Sequence, residues 1–163
     1  MPTPPISSLV ESLKSTPKPT PHRHHFDLQD FDPLDQLTDH GIPDADVYKG
    51  VHRPTGDLYG LRVISADKPE SVRRFAYNHA TSMCKIRAAN IINYFDVLCA
   101  ADYDEVWIIT EYVSGESLRR KQISDEGELS FITKRILCGM RDMHAQRRAC
   151  RNLCPEHLDR SGF

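Results

Sequence analysis

Thiol and imidazole side chains, which are ligands that zinc prefers, lie near both ends of the sequence. Toward the carboxyl end, three and two intervening residues separate Cys150, Cys154 and His157, which together supply three such ligands. Structural zinc sites usually have four ligands, so the alternative that these residues bind no metal stays open. Toward the amino end, residues 22–25 read His-Arg-His-His with no cysteine nearby, and a solvated tail is the simpler interpretation.

Composition excludes several classes of function. The 163 residues suit one domain, or one small domain with a tail. Lysine plus arginine (21) nearly balances aspartate plus glutamate (23), and a net charge of −2 argues against a nucleic-acid or anionic-membrane partner. No apolar run approaches the ~18 residues that a membrane span needs, and the opening MPTPPISSLVESLK lacks the basic-then-apolar order of a secretory signal.

The cysteines indicate a compartment. Their odd number and scattered positions suit reduced thiols, so we expect an intracellular protein of the cytoplasm, the nucleus or both. They are Cys84, Cys99, Cys138, Cys150 and Cys154.

The first 25 residues differ in composition from the rest of the chain. They hold six prolines together with several serines and threonines. Such a segment cannot bury enough apolar surface to offset the entropy lost on ordering. We therefore predict a disordered tail over residues 1–25 and a folded domain over residues 26–163.

Apolar spacing predicts the elements of that domain. Residues 47–51 and 58–64 are predicted to form a hairpin, with Tyr59, Leu61 and Val63 on one face of its second strand. Apolar positions three and four residues apart predict helices over 70–87 and 129–143. Two more strands are expected at 91–97 and 105–112, with a short helix from residue 115. This order predicts an α+β fold, an antiparallel sheet packed against one helix and followed by helical material.

Four stretches carry a family resemblance in the order of those elements. They are VYKGVHRPTGDLYGLRVI (47–64), ESVRR (70–74), IITEYVSGESL (108–118) and MHAQRRACRNLCPEHL (143–158). They resemble strands two and three, the entry to helix C, the hinge and the catalytic loop of a eukaryotic protein kinase, most of all a plant MAP kinase kinase. The resemblance covers roughly residues 30–160. It implies a kinase-like small lobe at about 31–113 and two helices of a truncated large lobe at about 114–163.

The sequence departs from the family at the phosphate end of the cleft. His40, Ile42 and Ala45 stand where the family's phosphate-cradling glycines belong, so we expect phosphate cradling to be lost. The family's strand lysine is Arg62, and that lysine's glutamate partner on helix C is His79. Arginine keeps the charge but not the shape of lysine, and imidazole cannot form the family's ion pair. The alternatives are a solvated strand residue for Arg62 and a residue at the edge of the core for His79.

The catalytic loop departs as well. Asn152 replaces the aspartate base, and an amide cannot accept the substrate's proton. Cys154 replaces the lysine near the γ-phosphate, and His157 replaces a magnesium-binding asparagine, although magnesium prefers oxygen ligands. This correspondence favours a substituted catalytic loop over a metal site. The 163 residues contain no Asp-Phe-Gly, so we expect no phosphoryl transfer and no cofactor, whereas intact members of the family use ATP and magnesium.

The resemblance also implies a vestige of the adenine pocket. Val47 and Gly60 would form its roof, Thr110 would be the gatekeeper, and Glu111 and Val113 would offer backbone hinge hydrogen bonds. The full vestigial nucleotide pocket comprises Val47, Gly60, Arg62, Thr110, Glu111, Val113 and Ser117.

Residues 23–28 resemble a docking motif by which MAP kinase kinases bind MAP kinases. Arg23 supplies positive charge, and Phe26 and Leu28 are alternate apolar residues that fit pockets on a partner. The alternative is a linker that leads into the first strand.

Three functions remain open from the sequence. The first is a degenerate MAP kinase kinase-like pseudokinase fragment that binds a MAP kinase or another kinase as a decoy or scaffold. The second is a weak or atypical ATP-binding Ser/Thr (dual-specificity) protein kinase. The third is a decayed gene product with no selected role.

Overall fold

The computed structural model describes residues 26–37, 45–99, 104–114, 118 and 122–149. Its strands form one antiparallel sheet of five in the order β1-β2-β3-β5-β4, and two α-helices accompany it. The predicted α+β class is confirmed. The elements are β1 (Phe31–Gln36), β2 (Asp46–His52), β3 (Leu58–Ile64), α1 (Glu70–Met83), β4 (Tyr94–Cys99), β5 (Val106–Glu111) and α2 (Glu126–Ala145).

The predicted hairpin forms from β2 and β3, with Val47 opposite Arg62 and Lys49 opposite Gly60. Alternation along β3 places Leu61 on one face of the sheet and Ile64 on the other, as the sequence predicts. We call these the outer and the inner face. β3 also pairs with β5, so it lies between two strands and between two apolar layers.

The inner face packs against α1. The buried residues of this inner cluster come from the helix, from the segment after it and from three strands. Apolar residues at helical spacing let α1 cover the sheet, since one stripe of the helix is apolar. The buried members of the inner cluster are Ile64, Ala80, Met83, Ile86, Tyr94, Val106 and Ile108.

Aromatic rings cover the outer face. The outer aromatic cluster consists of Phe26, Phe31, His52, Tyr59 and Phe95. The ring centroid of Phe26 lies 5.4 Å from that of Tyr59, with the rings edge to face, which is a favourable aromatic geometry. Burial, and secondarily the charge of Asp57, raises the pKa of the Tyr59 hydroxyl, so this ring stays neutral in the cluster.

The first strand was not predicted from the sequence. β1 contains Pro33 and two aspartates, and only Phe31 is buried, so its sequence has no alternating apolar pattern. Proline lacks a backbone donor but is tolerated at a sheet edge, where β1 lies. The register of β1 against β2 shifts between Pro33 and Asp35.

Two predicted boundaries were wrong by several residues. The helix predicted over 70–87 ends at Met83, although Ile86 remains buried beyond it. Arg87 Nη1 donates to the carbonyls of Cys84 (2.9 Å) and Ile86 (2.8 Å), which stabilises a turn after the helix. β4 begins at Tyr94 rather than at residue 91.

α2 runs over 126–145, slightly longer than predicted. Asp125 accepts a hydrogen bond from Glu128 N and caps the amino end of the helix. A side-chain carbon added to Gly139 would lie 3.0 Å from the Asn90 carbonyl oxygen, so α2 approaches the segment before β4 closely. Ile132 is buried, whereas Leu129 is 51% exposed, so the helix is covered on one side only.

Several expectations lie outside the described residues: the tail over 1–25, the short helix from 115 apart from residue 118, and the end of the chain from 150. In the part of the chain that the structure describes, no helix is both long and apolar enough to cross a membrane.

The outer aromatic cluster generates a stability prediction. Phe26 is 5% exposed and contacts three other rings, so Phe26→Ala is expected to lower the free energy of unfolding by about 3–5 kcal/mol in urea denaturation. Leu34→Ala is the matched control, because Leu34 is 53% exposed on β1, and its effect should stay within about 0.5 kcal/mol. Equal effects of the two substitutions would contradict a structural role for Phe26.

Candidate functional site

Several residues predicted for the nucleotide pocket lie on the inner face of β2, β3 and β5, whose inner-face positions we call the cleft positions. Val47 is buried beside Arg62, and Thr110 on β5 lies opposite Gly60 on β3. The Thr110 hydroxyl donates to the Gly60 carbonyl at 3.1 Å. The structure therefore brings together four of the residues predicted for the vestigial nucleotide pocket.

Gly60 is closely packed against β5. A side-chain carbon at this position would lie 2.7 Å from Thr110 Oγ1 and 3.2 Å from the Glu111 carbonyl oxygen. The strand pair thus requires the absence of a side chain at residue 60. The Thr110 hydroxyl occupies the space that a side chain at residue 60 would need.

Arg62 is bound to a residue of β4. Its Nη1 donates to Tyr94 Oη at 3.4 Å, and its guanidinium carbon lies 5.8 Å from the centre of the Tyr94 ring. Tyr94 is 7% exposed and belongs to the inner cluster. The guanidinium therefore contacts both the hydroxyl and the ring face of a fixed tyrosine.

His79 lies on the exposed side of α1. Its ring stacks on that of Phe75, with centroids 6.1 Å apart and an interplanar angle of 12°. The prediction of a residue at the edge of the core was wrong, because Ala80 rather than His79 is the residue that this turn of the helix buries. The Arg62 side chain donates its hydrogen bond to Tyr94 on β4 and not to His79 on α1.

The predicted hinge is tied to the start of β4. Glu111 N donates to the Asn93 carbonyl at 2.8 Å. In return, the Glu111 carboxylate accepts from Asn93 N at 3.2 Å and from Asn93 Nδ2 at 3.1 Å. These three hydrogen bonds between Glu111 and Asn93 hold the end of β5. Val113, two residues further along the chain, is half-buried. The glutamate side chain thus has a positioning role that the sequence did not indicate.

A second cation lies on the inner face. Lys49 is opposite Gly60, and its Nζ lies 5.4 Å from the centre of the Tyr112 ring. Sequence reasoning missed Lys49, Asn93 and Tyr94. The alternation of β2 places Lys49 beside Val47 on one face and could have identified it, whereas local sequence carries no signal for the partners of Asn93 and Tyr94.

The described residues fit magnesium and ATP poorly. Arg62 is bound within the protein, and the cleft positions of β2, β3 and β5 carry two cations and no carboxylate. Magnesium requires oxygen ligands, usually carboxylates. Across the described ranges, no group of three or more His, Cys, Asp or Glu residues is placed to hold a metal ion.

Other predicted site residues lie elsewhere. Ser117, Asn152, Cys154, His157 and Arg23 are outside the described residues, as are His40 and Ile42 of the predicted glycine-loop positions. Among the described docking residues, Phe26 is buried in the outer aromatic cluster, and Leu28 is half-buried in a short 3₁₀ turn (Leu28–Asp30).

The free thiol of Cys84 lies next to the inner cluster, and burial raises its pKa, so it packs as a neutral group.

The fold is that of a kinase-like small lobe, with five antiparallel strands and one helix on the inner face of the sheet. The family model described as "Protein kinase domain" matches residues 44–158, more than half of the chain. The chain belongs to the protein kinase domain family.

The curated relatives that this chain matches are considerably longer than the chain itself, and several of them are named as protein kinases. Serine/threonine-protein kinase pakF of Dictyostelium discoideum is 28% identical over 142 residues, which cover 81% of this chain and 12% of that protein. MAP kinase kinase kinase wis4 of Schizosaccharomyces pombe is 27% identical over 121 residues, 70% of this chain and 8% of that protein. Cell division control protein 2 homolog 3 of Trypanosoma brucei brucei is 28% identical over 119 residues, 69% of this chain and 37% of that protein. The chain thus spans a minor part of each relative's length.

The contact between Gly60 and Thr110 generates a prediction. Gly60→Ala is expected to lower the free energy of unfolding by about 1–3 kcal/mol, because the added methyl group meets the Thr110 hydroxyl. In a Thr110→Ala background the same change should cost at least about 1 kcal/mol less, as measured by a double-mutant cycle in urea. Additive effects would contradict the direct contact.

Proposed function

We propose that this chain is a degenerate, MAP kinase kinase-like pseudokinase region of plant type that transfers no phosphate and acts by binding other proteins. The observation that carries the proposal is the bond from Arg62 to Tyr94, with His79 exposed at the helix position. The residue that should grip phosphate is held by β4, and the helix offers an imidazole where the family has a carboxylate.

Several independent losses support the absence of catalysis. Removal of one preorganised electrostatic group typically costs ~10²–10³ in rate. Here the strand lysine, its helix partner and the catalytic base are all replaced, by Arg62, His79 and Asn152. These effects are not additive, but no single retained group can substitute for a base and a metal site. The proposal includes no bound ATP, magnesium or other cofactor.

The proposed partner is a MAP kinase or another kinase, bound in the cytoplasm, in the nucleus or in both. The basic and apolar pattern around Arg23 and Leu28 supports this, and a relative named as a MAP kinase kinase kinase is consistent with a role in such a cascade. Because Phe26 is buried, the proposed contact relies on Arg23 and Leu28. In this role the chain would occupy a partner's docking groove as a decoy or scaffold.

A second candidate is a weak or atypical Ser/Thr kinase. The retained charge of Arg62 and the packed roof at Gly60 and Thr110 favour it. The Tyr94 contact disfavours it, because phosphate would compete with the tyrosine hydroxyl for Arg62 Nη1.

A phosphotransfer assay distinguishes these candidates. The purified chain with radiolabelled ATP, magnesium and a general protein substrate is expected to give no incorporation above the level without protein, since the base and the lysine are replaced. Magnesium-dependent incorporation that Asn152→Ala abolishes and the surface variant Ser130→Ala retains would overturn the proposal.

Binding to a MAP kinase is tested separately with the full chain. Arg23→Ala/Leu28→Ala is expected to weaken binding to an immobilised MAP kinase by at least about tenfold in biolayer interferometry, because charge and apolar contacts are lost together. Leu34→Ala is the matched control, as it removes an exposed leucine nearby. No binding by the wild-type chain, or binding that the double variant leaves intact, would remove the docking role.

A further inference from the structure

We infer that Tyr94 weakens anion binding at Arg62 by holding its guanidinium, and that removal of Tyr94 raises the affinity of the chain for free polyphosphate anions such as metal-free ATP. The inference rests on the proposed function, in which the cleft transfers no phosphate. It assigns to Tyr94 a positioning role: this residue acts on a ligand only through Arg62.

The contact is anchored in the core. Tyr94 is 7% exposed and packs in the inner cluster with Met83 and Ile108. A ring enclosed in this way cannot swing aside as a surface side chain does, since protein interiors are close-packed. The Arg62 guanidinium carbon lies 5.8 Å from the centre of this ring and its Nη1 donates to the hydroxyl at 3.4 Å, so the sheet fixes the group that Arg62 contacts.

The strand register explains how the two side chains meet. Tyr94 on β4 lies opposite Thr110 on β5, which lies opposite Gly60 on β3. Arg62 is the next inner-face position along β3 from Gly60. Two strand spacings of about 4.8 Å and two residues of about 3.3 Å along β3 separate the two backbone positions by roughly 12 Å, which a tyrosine and an arginine side chain together can span. A shorter residue at 94 would leave Arg62 without this contact.

Tyrosine holds the cation without neutralising it. A carboxylate partner would cancel the charge, whereas the ring quadrupole and the hydroxyl leave a full positive charge on Arg62. A phosphate that accepts a hydrogen bond from Arg62 Nη1 must displace the Tyr94 hydroxyl from it. Lys49 adds a second cation to the same face, and the cleft positions of β2, β3 and β5 hold no carboxylate to bring in magnesium. The anion bound after release of Arg62 is therefore expected to be metal-free.

The test compares the full-length wild type with Tyr94→Phe, Tyr94→Leu and Tyr94→Leu/Arg62→Ala, titrated by calorimetry with ATP in EDTA and with ATP in magnesium. Tyr94→Phe, which removes the hydrogen bond, should tighten binding of metal-free ATP by about threefold, and Tyr94→Leu by about tenfold or more. The gain should disappear in the double variant. Inorganic triphosphate should compete with ATP for binding, because the site is expected to recognise the phosphate chain and not the adenine ring.

Two outcomes overturn the inference: no gain in Tyr94→Phe and Tyr94→Leu, or a gain that survives Arg62→Ala. If Tyr94→Leu fails to give a cooperative thermal transition, Tyr94→Phe decides, because it keeps the ring. NMR of the Arg62 guanidinium adds a direct reading, with slower side-chain rotation expected in the wild type than in Tyr94→Phe. Equal rotation in both would contradict the contact. Phosphotransfer by the wild type would overturn the proposed function instead, so the two failures are distinguishable.

Discussion

The burial of β3 on both of its faces is the constraint on which the rest of the structure depends. Leu61 is fully buried on the outer face, and Ile64, three residues further along the strand, is buried on the inner face. Strands β2 and β5 flank it in the sheet. A strand with apolar side chains on both faces is stable only when both are covered, since each exposed apolar side chain forgoes about 1.5–3 kcal/mol. α1 covers the inner face, and the rings around Phe26 cover the outer one.

This constraint also determines the register of the cleft. Shifting β3 by one residue would move Leu61 to the inner face and Arg62 to the outer one, because side chains alternate along a strand. The outer aromatic cluster opposes such a shift by holding Tyr59 between Phe26 and Phe95. Packing at one face therefore positions Gly60 and Arg62 at the other, and the stability of the sheet and the geometry of the cleft are linked.

The sequence predicts the elements that have a local pattern. The β2–β3 hairpin and the helices follow from alternating and helical apolar spacing, and the α+β class follows from their order. β1 could not be predicted in this way because Pro33 and its aspartates leave only Phe31 buried, so its place depends on pairing with β2. In the cleft, the resemblance placed Arg62 and Gly60 correctly on β3. The contacts of these two residues could not be predicted from local sequence, since Tyr94 is 32 residues from Arg62 and Thr110 is 50 residues from Gly60.

The residue types at positions 62 and 79 are physically consistent with a tyrosine at residue 94. A half-buried cation needs a partner, because its desolvation is otherwise unfavourable. Arginine suits Tyr94 better than lysine would, since its planar guanidinium can stack on a ring and donate to a hydroxyl at the same time. Because Tyr94 on β4 contacts the cation, α1 does not have to provide a carboxylate for it. Residue 79 can then be an exposed histidine that stacks on Phe75, and the helix keeps its packing through Ala80 and Met83.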